Sequence, residues 1–384
     1  MIDIEAKALE LAPLIRARIP DMEQQRRLPT DLAQTFAQAG LYRMTIPRDL
    51  GGLECSPQTL FRTIATVAQA DASAGWCVMI GVTSAIYSAY LPIEIARPIY
   101  DDPELITGGV FASMGKALRQ GDHYRVDGHW RWASGSHNCK WLNGGCVLIE
   151  EDGSARTLPN GAPESRSVMV PIRDVELVDT WHTMGLVGTG SVDMKMSNVR
   201  VPVARSVSLA FDKPRAQGAL YVFPAFGLLA AGISAVALGN ARAALDEFCQ
   251  FAGGAKTAGS RRMLAQRSTV QQEYAQAEAT LRAASAMLFD AVGLAWDSAQ
   301  RDGQIALQQR AGLRLAATHL TRNAAQVCRV VHDLAGGAAV FLSSNLQRRL
   351  RDAQTMTAHM MISSSTYELA GRVLLGLPTD DTTI

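Results

Sequence analysis

The stretch after Pro214 constrains this chain most. Phe226 to Phe251, Ala265 to Arg301, Gln304 to Ala335 and Leu346 to Leu375 are four long segments rich in Ala, Leu, Gln and Arg, with only scattered helix breakers. Segments of that length and composition predict helices, and four in succession predict a four-helix bundle in which each helix buries one apolar face. The abundant alanine lets the helices approach closely. A face such as Ala311, Leu315, Thr318 and Arg322 carries more apolar surface than one bundle hides, so burial against another copy of the chain is expected.

Upstream the texture changes twice. From about Gly108 to Val203 the pattern is short alternating runs: His123–Val126, Trp130–Ala133, Cys146–Glu150, Ser167–Pro171 and Val192–Met196. Asp127-Gly128, Asn143-Gly144-Gly145 and Asp152-Gly153 read as the turns between them, which predicts an antiparallel β domain. Residues 1 to about 105 are helical in period, broken near Pro47 to Gly52 and at Pro92, with Leu60, Ile64 and Val67 on one face. The expected architecture is α+β, with a helical N-terminal domain (1–105), a central antiparallel β domain (106–213) and a C-terminal four-helix bundle (214–384). A β domain between helical layers can hold a planar cofactor where the three meet.

Charge narrows the partners. Lys and Arg number 37 against 36 Asp and Glu, so no basic footprint for nucleic acid or an anionic membrane is present. The N-terminal stretch is acidic from Asp3 and lacks a continuous apolar run, so neither a signal peptide nor a membrane anchor is expected there, and a cytoplasmic protein is. Six cysteines without CxxC or Cys/His spacing read as reduced, mostly buried thiols rather than metal ligands. The expected partners are a small-molecule substrate and copies of the chain itself.

Three segments could carry chemistry. In Gly128 to His137, Trp130 and Trp132 share one strand face and are followed by the hydroxyls of Ser134 and Ser136 on a turn that Gly135 permits. An aromatic wall beside a hydroxyl suits a flavin ring, while core tryptophans and turn-capping serines are the plainer reading. Asp179 to Ser191 is a Gly/Thr/Ser-rich loop, either a phosphate cradle or a tight connection, and it lacks the spacing of a Walker loop or dinucleotide fingerprint. Near the C-terminus, Gly336-Gly337 allows close backbone approach or caps a helix. Arg351-Asp352 reads as a local ion pair, and His359 is the only titratable side chain from Thr355 to Thr366. No Ser/His/Asp order, H-E-x-x-H or paired carboxylates stand out.

Taken in order, Asp71 to Trp76, Gly128 to Ser136, Trp181 to Ser191 leading to Val201-Pro202, and Gly336-Gly337 with Gln347-Arg348 and Arg351-Asp352 resemble the acyl-CoA dehydrogenase superfamily over almost the whole chain. They resemble its flavin-dependent monooxygenase branch in particular, which includes the oxygenase components of phenol hydroxylases such as that for 4-hydroxyphenylacetate, and dibenzothiophene monooxygenase. The resemblance places Trp132 near the flavin and Ser134 close to its N5. It sets Arg261, or its neighbour Arg262, against the cofactor phosphates of a neighbouring subunit, and Gly336-Gly337 near the pyrophosphate. Asp333 stands where dehydrogenases usually carry glutamine, which leaves FMN open beside FAD. Where many dehydrogenases supply a catalytic glutamate, this chain reads Thr357-Ala358-His359-Met360-Met361, and His359 falls where the monooxygenase branch places a histidine beside the flavin.

The resemblance therefore implies an oxygenase component that receives reduced flavin (FMN or FAD) from a separate flavin reductase and uses O2 as co-substrate. Through a C4a-hydroperoxide it would hydroxylate an aromatic or heteroaromatic small molecule. His359 and Ser134 are the expected catalytic residues, Trp76 and Met360 possible pocket walls, and a homotetramer the expected assembly. An acyl-CoA dehydrogenase with a displaced base and a catalytically idle flavin-fold binding module are the competing readings.

Overall fold

The computed structural model describes residues 2–158, 161–255, 262–382 and 384. The N-terminal layer holds α1 (Ile4–Ala17), α2 (Ile19–Gln25), α3 (Thr30–Gln38), α4 (Pro57–Ala70), α5 (Ala72–Ala85) and α6 (Ile93–Tyr100). Ser56 opens α4 by accepting the Thr59 N–H at 3.2 Å, ahead of a proline at the first helical position. The face carrying Leu60, Ile64 and Val67 is fully buried, as its spacing predicts. Asp71 ends α4 in an extended conformation and caps α5, its Oδ1 accepting the Ala74 N–H at 3.0 Å. Helix α5 is buried on nearly every side, which is why its sequence is apolar all round.

The strands are β1 (Thr107–Gln120), β2 (His123–Ala133), β3 (Trp141–Ile149), β4 (Ser165–Pro171), β5 (Glu176–Val178), β6 (Val192–Pro202) and β7 (Ser206–Val207), in sheet order β5-β6-β2-β1-β3-β4-β7. The sheet is mixed, which corrects the antiparallel expectation: β1 and β3 pair in parallel and the other pairs are antiparallel. A parallel neighbour needs a crossing connection, and residues 134–140 make it, carrying Ser134 and Ser136 across the end of β1.

Two expected turns lie inside strands. Gly128 sits in β2, and Gly144 with Gly145 in β3. Gly128 and Gly144 make room for the indole of Trp130, which is fully buried and donates its Nε1–H to the Gly145 carbonyl at 2.7 Å. A Cβ on Gly115, Gly128 or Gly144 would come within 2.1, 2.4 or 2.9 Å of that ring. Only Asp152-Gly153 turns, with Gly153 at φ +87°.

After α7 (Ala219–Val222), three long helices follow as expected: α8 (Ala225–Gly254), α9 (Ser268–Asp302) and α10 (Leu307–Ala335). The fourth expected helix is broken into α11 (Asn345–Thr357) and α12 (Ser365–Leu374), with a 3-10 turn over Met360–Ile362 between them. Ala311 and Thr318 are already buried within the chain, so the surplus apolar face lies elsewhere. Val340, Phe341, Leu342, Leu374 and Leu375 are each at least two-thirds exposed. Of the six cysteines, Cys77, Cys139, Cys146 and Cys328 are buried, Cys55 is partly buried and Cys249 is exposed, all as free thiols.

Candidate active site

A cavity of about 440 Å³ opens where the three layers meet, walled by α5, β1, the end of β2, the 181–191 segment, the start of α8 and the break after α11. That volume lies within the ordinary range for cofactor and ligand pockets, about 300–1,000 Å³. Its lining includes no aspartate or glutamate among the described residues.

Trp132 forms part of the wall and is 58% exposed, a large apolar surface offered to the cavity. It stands at a bulge, where the β2–β6 register shifts between Trp130 and Ala133, and its φ of +69° is a left-handed conformation rare for a tryptophan. The bulge turns successive tryptophans to different tasks: Trp130 fills the core while Trp132 faces the pocket.

Beyond it, Ser134 is buried but reaches the cavity and accepts the Trp76 Nε1–H at 3.1 Å. Its Oγ lies 2.6 Å from Ser191 Oγ, which lies 2.6 Å from Thr189 Oγ1, and Thr189 donates to the Leu186 carbonyl at 2.8 Å. A carbonyl brings no proton, so Thr189 must spend its own there. Each hydroxyl owns one proton, so Ser191 then donates to Thr189, and Ser134 donates to Ser191. The chain is thereby polarised, and Ser134 meets the cavity as an acceptor.

His359 is the second residue past α11, after the cap Ala358, extended at φ −71° and ψ 133°, and its Nδ1 accepts the Met361 N–H at 3.2 Å. That bond fixes the tautomer with the proton on Nε2. Burial pulls the imidazole down to about 4, so it is neutral near pH 7 and acts as an N–H donor. Its ring meets Trp76 edge-on with centroids 5.8 Å apart. Trp76 thus links Ser134 to His359 and is a cavity wall in its own right.

The other sequence-derived candidates fall as follows. Met360 lines the cavity and is 62% exposed. Ser136 is fully buried behind the wall and takes no part in the lining. Gly336 and Gly337 are exposed away from the cavity, and a Cβ on either would meet nothing within 4 Å in this chain, although Gly336 at φ +60° caps α10. Arg261 lies outside the described residues; Arg262 is described and does not line the cavity. The Asp179–Ser191 loop behaves as a tight connection, since a Cβ on Gly185 would come within 2.3 Å of the Arg351 carbonyl. Arg351 and Asp352 do not pair with each other: Arg351 donates to the Met184 carbonyl at 2.5 Å and Asp352 accepts the Leu186 N–H at 2.6 Å. Ser191, Thr189 and Asn143 were not singled out from the sequence. Nothing in a Gly-Thr-Gly-Ser loop announces which hydroxyls a distant strand will meet.

Two family models match the chain: the acyl-CoA dehydrogenase N-terminal domain over residues 10–93 and the acyl-CoA dehydrogenase C-terminal domain over residues 231–364. The chain is 32% identical over 363 residues to the indole-3-acetate monooxygenase of Pseudomonas putida, covering 94% of this chain and 90% of that one. The chain belongs to the acyl-CoA dehydrogenase family, in its flavin-dependent monooxygenase branch. It is an oxidoreductase with flavin as cofactor. It is also 25% identical to the oxygenase component of the FADH2-dependent resorcinol hydroxylase of a Rhizobium species, across 96% of this chain and 92% of that one. The fold matches the crystal structure of 3-HSA hydroxylase from a Rhodococcus species with a TM-score of 0.92 at 24% identity, covering 100% and 99% of the two chains.

The site fits such a cofactor. A planar ring would need an apolar face, which Trp132 could offer, and an acceptor for its ring N–H, which the free lone pair of Ser134 could offer. Reduced flavin bears an N–H at N5 that the oxidised form lacks, so the polarity of the hydroxyl chain suits the reduced state.

Proposed function

We propose that this oxygenase takes reduced FMN or FAD from a separate reductase and inserts one oxygen atom of O2 into an aromatic or heteroaromatic small molecule, working as a homo-oligomer, a tetramer, in the cytoplasm. When bound, reduced flavin supplies the two electrons that activate dioxygen. The residues of the chain do the rest. Trp132 would hold the ring, Ser134 would accept a hydrogen bond from it, and His359 would offer an N–H to an oxygen anion formed in the cavity. The apolar walls Phe111, Phe226, Leu229 and Trp181 exclude water, which favours transfer to substrate over loss of peroxide. The names of the relatives, acting on indole-3-acetate and resorcinol, support an aromatic substrate for this chain as well.

The observation that carries the reading is the direction of the hydroxyl chain from Ser134 through Ser191 and Thr189 to the Leu186 carbonyl. An acyl-CoA dehydrogenase needs a carboxylate facing the substrate, and the described cavity wall has none. Anaerobic titration of reduced and oxidised flavin measures the consequence. The reduced form should bind about tenfold tighter or better, the factor that 1.4 kcal/mol represents. Ser191→Ala frees the Ser134 proton and should narrow that ratio several-fold. Tighter binding of the oxidised form, with bleaching by acyl-CoA, would support the dehydrogenase instead.

A further inference from the structure

One polar group in the cavity wall has no task in that chemistry. Asn143 lies in β3, is 3% exposed and lines the cavity. Its Oδ1 is sealed and finds no partner among the described residues, which leaves the NH2 edge of the amide as the side turned to the cavity. That NH2 makes no hydrogen bond with a described residue either, so an oxygen of a ligand in the cavity is the partner open to it.

Ser84 on α5 lines the same cavity, and its hydroxyl makes no hydrogen bond with a described residue. Its neighbours are spent differently: Thr83 donates to the Met79 carbonyl at 2.8 Å, Ser88 to the Ala85 carbonyl at 2.6 Å, and Tyr87 to Ser167 Oγ at 2.8 Å. Ser84 stands eight residues beyond Trp76 on this helix, or about 12 Å along its axis. That is the reach of a fused two-ring aromatic with one hydrogen bond at its far end.

Charge selects what that bond takes. Arg131, exposed and next to Trp132, is the only Lys or Arg in the described lining, and His359 is neutral. A carboxylate at the Asn143 end would be buried without a cation, whereas a neutral oxygen is satisfied by an amide and a hydroxyl.

We propose that Asn143 and Ser84 form a neutral hydrogen-bonding subsite, remote from Trp132, that receives the phenolic or carbonyl oxygen of an aromatic substrate. This rests on the oxygenase reading and names the substrate class for it. Asn143 Nδ2 donates to the oxygen, and Ser84 donates or accepts according to whether a carbonyl or a phenol is held.

Titration calorimetry of the full-length protein at pH 7 with 2-naphthol, naphthalene and 2-naphthoate tests it. 2-Naphthol should bind about tenfold tighter than either of the others, the ratio one net hydrogen bond gives. Asn143→Leu should erase that preference without lowering the Tm, because it removes an unpaired amide, and Ser84→Ala should cut it several-fold. A preference unchanged in both variants, binding of 2-naphthoate equal to or tighter than 2-naphthol, or no binding of any probe would overturn the subsite. Should Asn143→Leu not fold, Asn143→Ser with Ser84→Ala decides the same question. Reduced-flavin binding by the same wild-type protein separates the two claims. Flavin bound without a naphthol preference sinks the subsite and spares the oxygenase reading, and a naphthol preference without flavin binding does the reverse.

Discussion

His359 shows how one residue's role turns on one hydrogen bond. Its sequence position suits either a general base or a donor to peroxide. Acceptance of the Met361 N–H at Nδ1 ties up the lone pair a base would use and leaves Nε2–H as a donor. His359→Ala should raise hydrogen peroxide release several-fold per flavin oxidised, and His359→Gln, which keeps a donor, should recover part of the coupling. The folded-state pKa lies near 4, below the usual value of about 6.5. Protonation therefore begins only in acid: coupling should stay flat from about pH 6 to 8 and fall towards pH 4. The sign for stability is the same, since the neutral ring's contribution is fully present above about pH 6.5 and is lost as pH falls towards 4. A step in peroxide yield centred near 6.5 would contradict this assignment. That His359 is a candidate was readable from its isolation among Met, Ala and Ile; its tautomer was not, because a backbone N–H two residues on sets it.

Among the elements, the glycines of the sheet were misread as turns because a glycine signals freedom of backbone and absence of side chain alike. Here the second meaning holds: Gly115, Gly128 and Gly144 seat the Trp130 ring. Gly115→Ala should lower stability by about 1–3 kcal/mol in thermal or denaturant unfolding, the usual cost of overpacking. Gly293→Ala, in α9 with nothing closer than 4.0 Å, should instead be neutral or gain up to about 1 kcal/mol. The break after α11 was equally hidden. No proline or glycine marks it, and it appears because the chain has to turn at Ala358 for His359 to face the cavity and for Ile362 to bury.

Across the whole molecule, buried charge ties the layers together. Arg348 on α11 pairs with Asp71 at the start of α5, both about 5% exposed, and Arg349 beside it donates to the Ala70 carbonyl at 3.2 Å and Glu247 Oε1 at 2.9 Å. Asp352, pushed up to about 6 by burial, holds the Leu186 loop against the same helix. Arg348→Leu should cost about 3–5 kcal/mol, since it strands Asp71 in the interior, and the Asp71→Asn/Arg348→Leu double variant should lose less than the sum of the two. At the surface, Phe341, Leu342 and Leu375 offer the apolar area expected of a subunit contact. Leu342→Asp with Leu375→Asp should shift the protein to a smaller species in sedimentation equilibrium; an unchanged mass would place the contact elsewhere.

The sequence by itself determined the order of helical and β zones, the long helices after Pro214, and the segments that meet at the site, because periodicity and residue type are local properties. Trp132, Ser134 and His359 were nameable as candidates on that basis, while Trp76 and Met360 came with the resemblance to the family. The tertiary structure alone decided that β1 and β3 run in parallel, that Ser136 and Gly336-Gly337 stand off the cavity, and that Ser191 and Thr189 orient the proton of Ser134. Each depends on which atoms, dozens of residues apart, come within hydrogen-bond or van der Waals reach, and spacing along a chain does not carry that information.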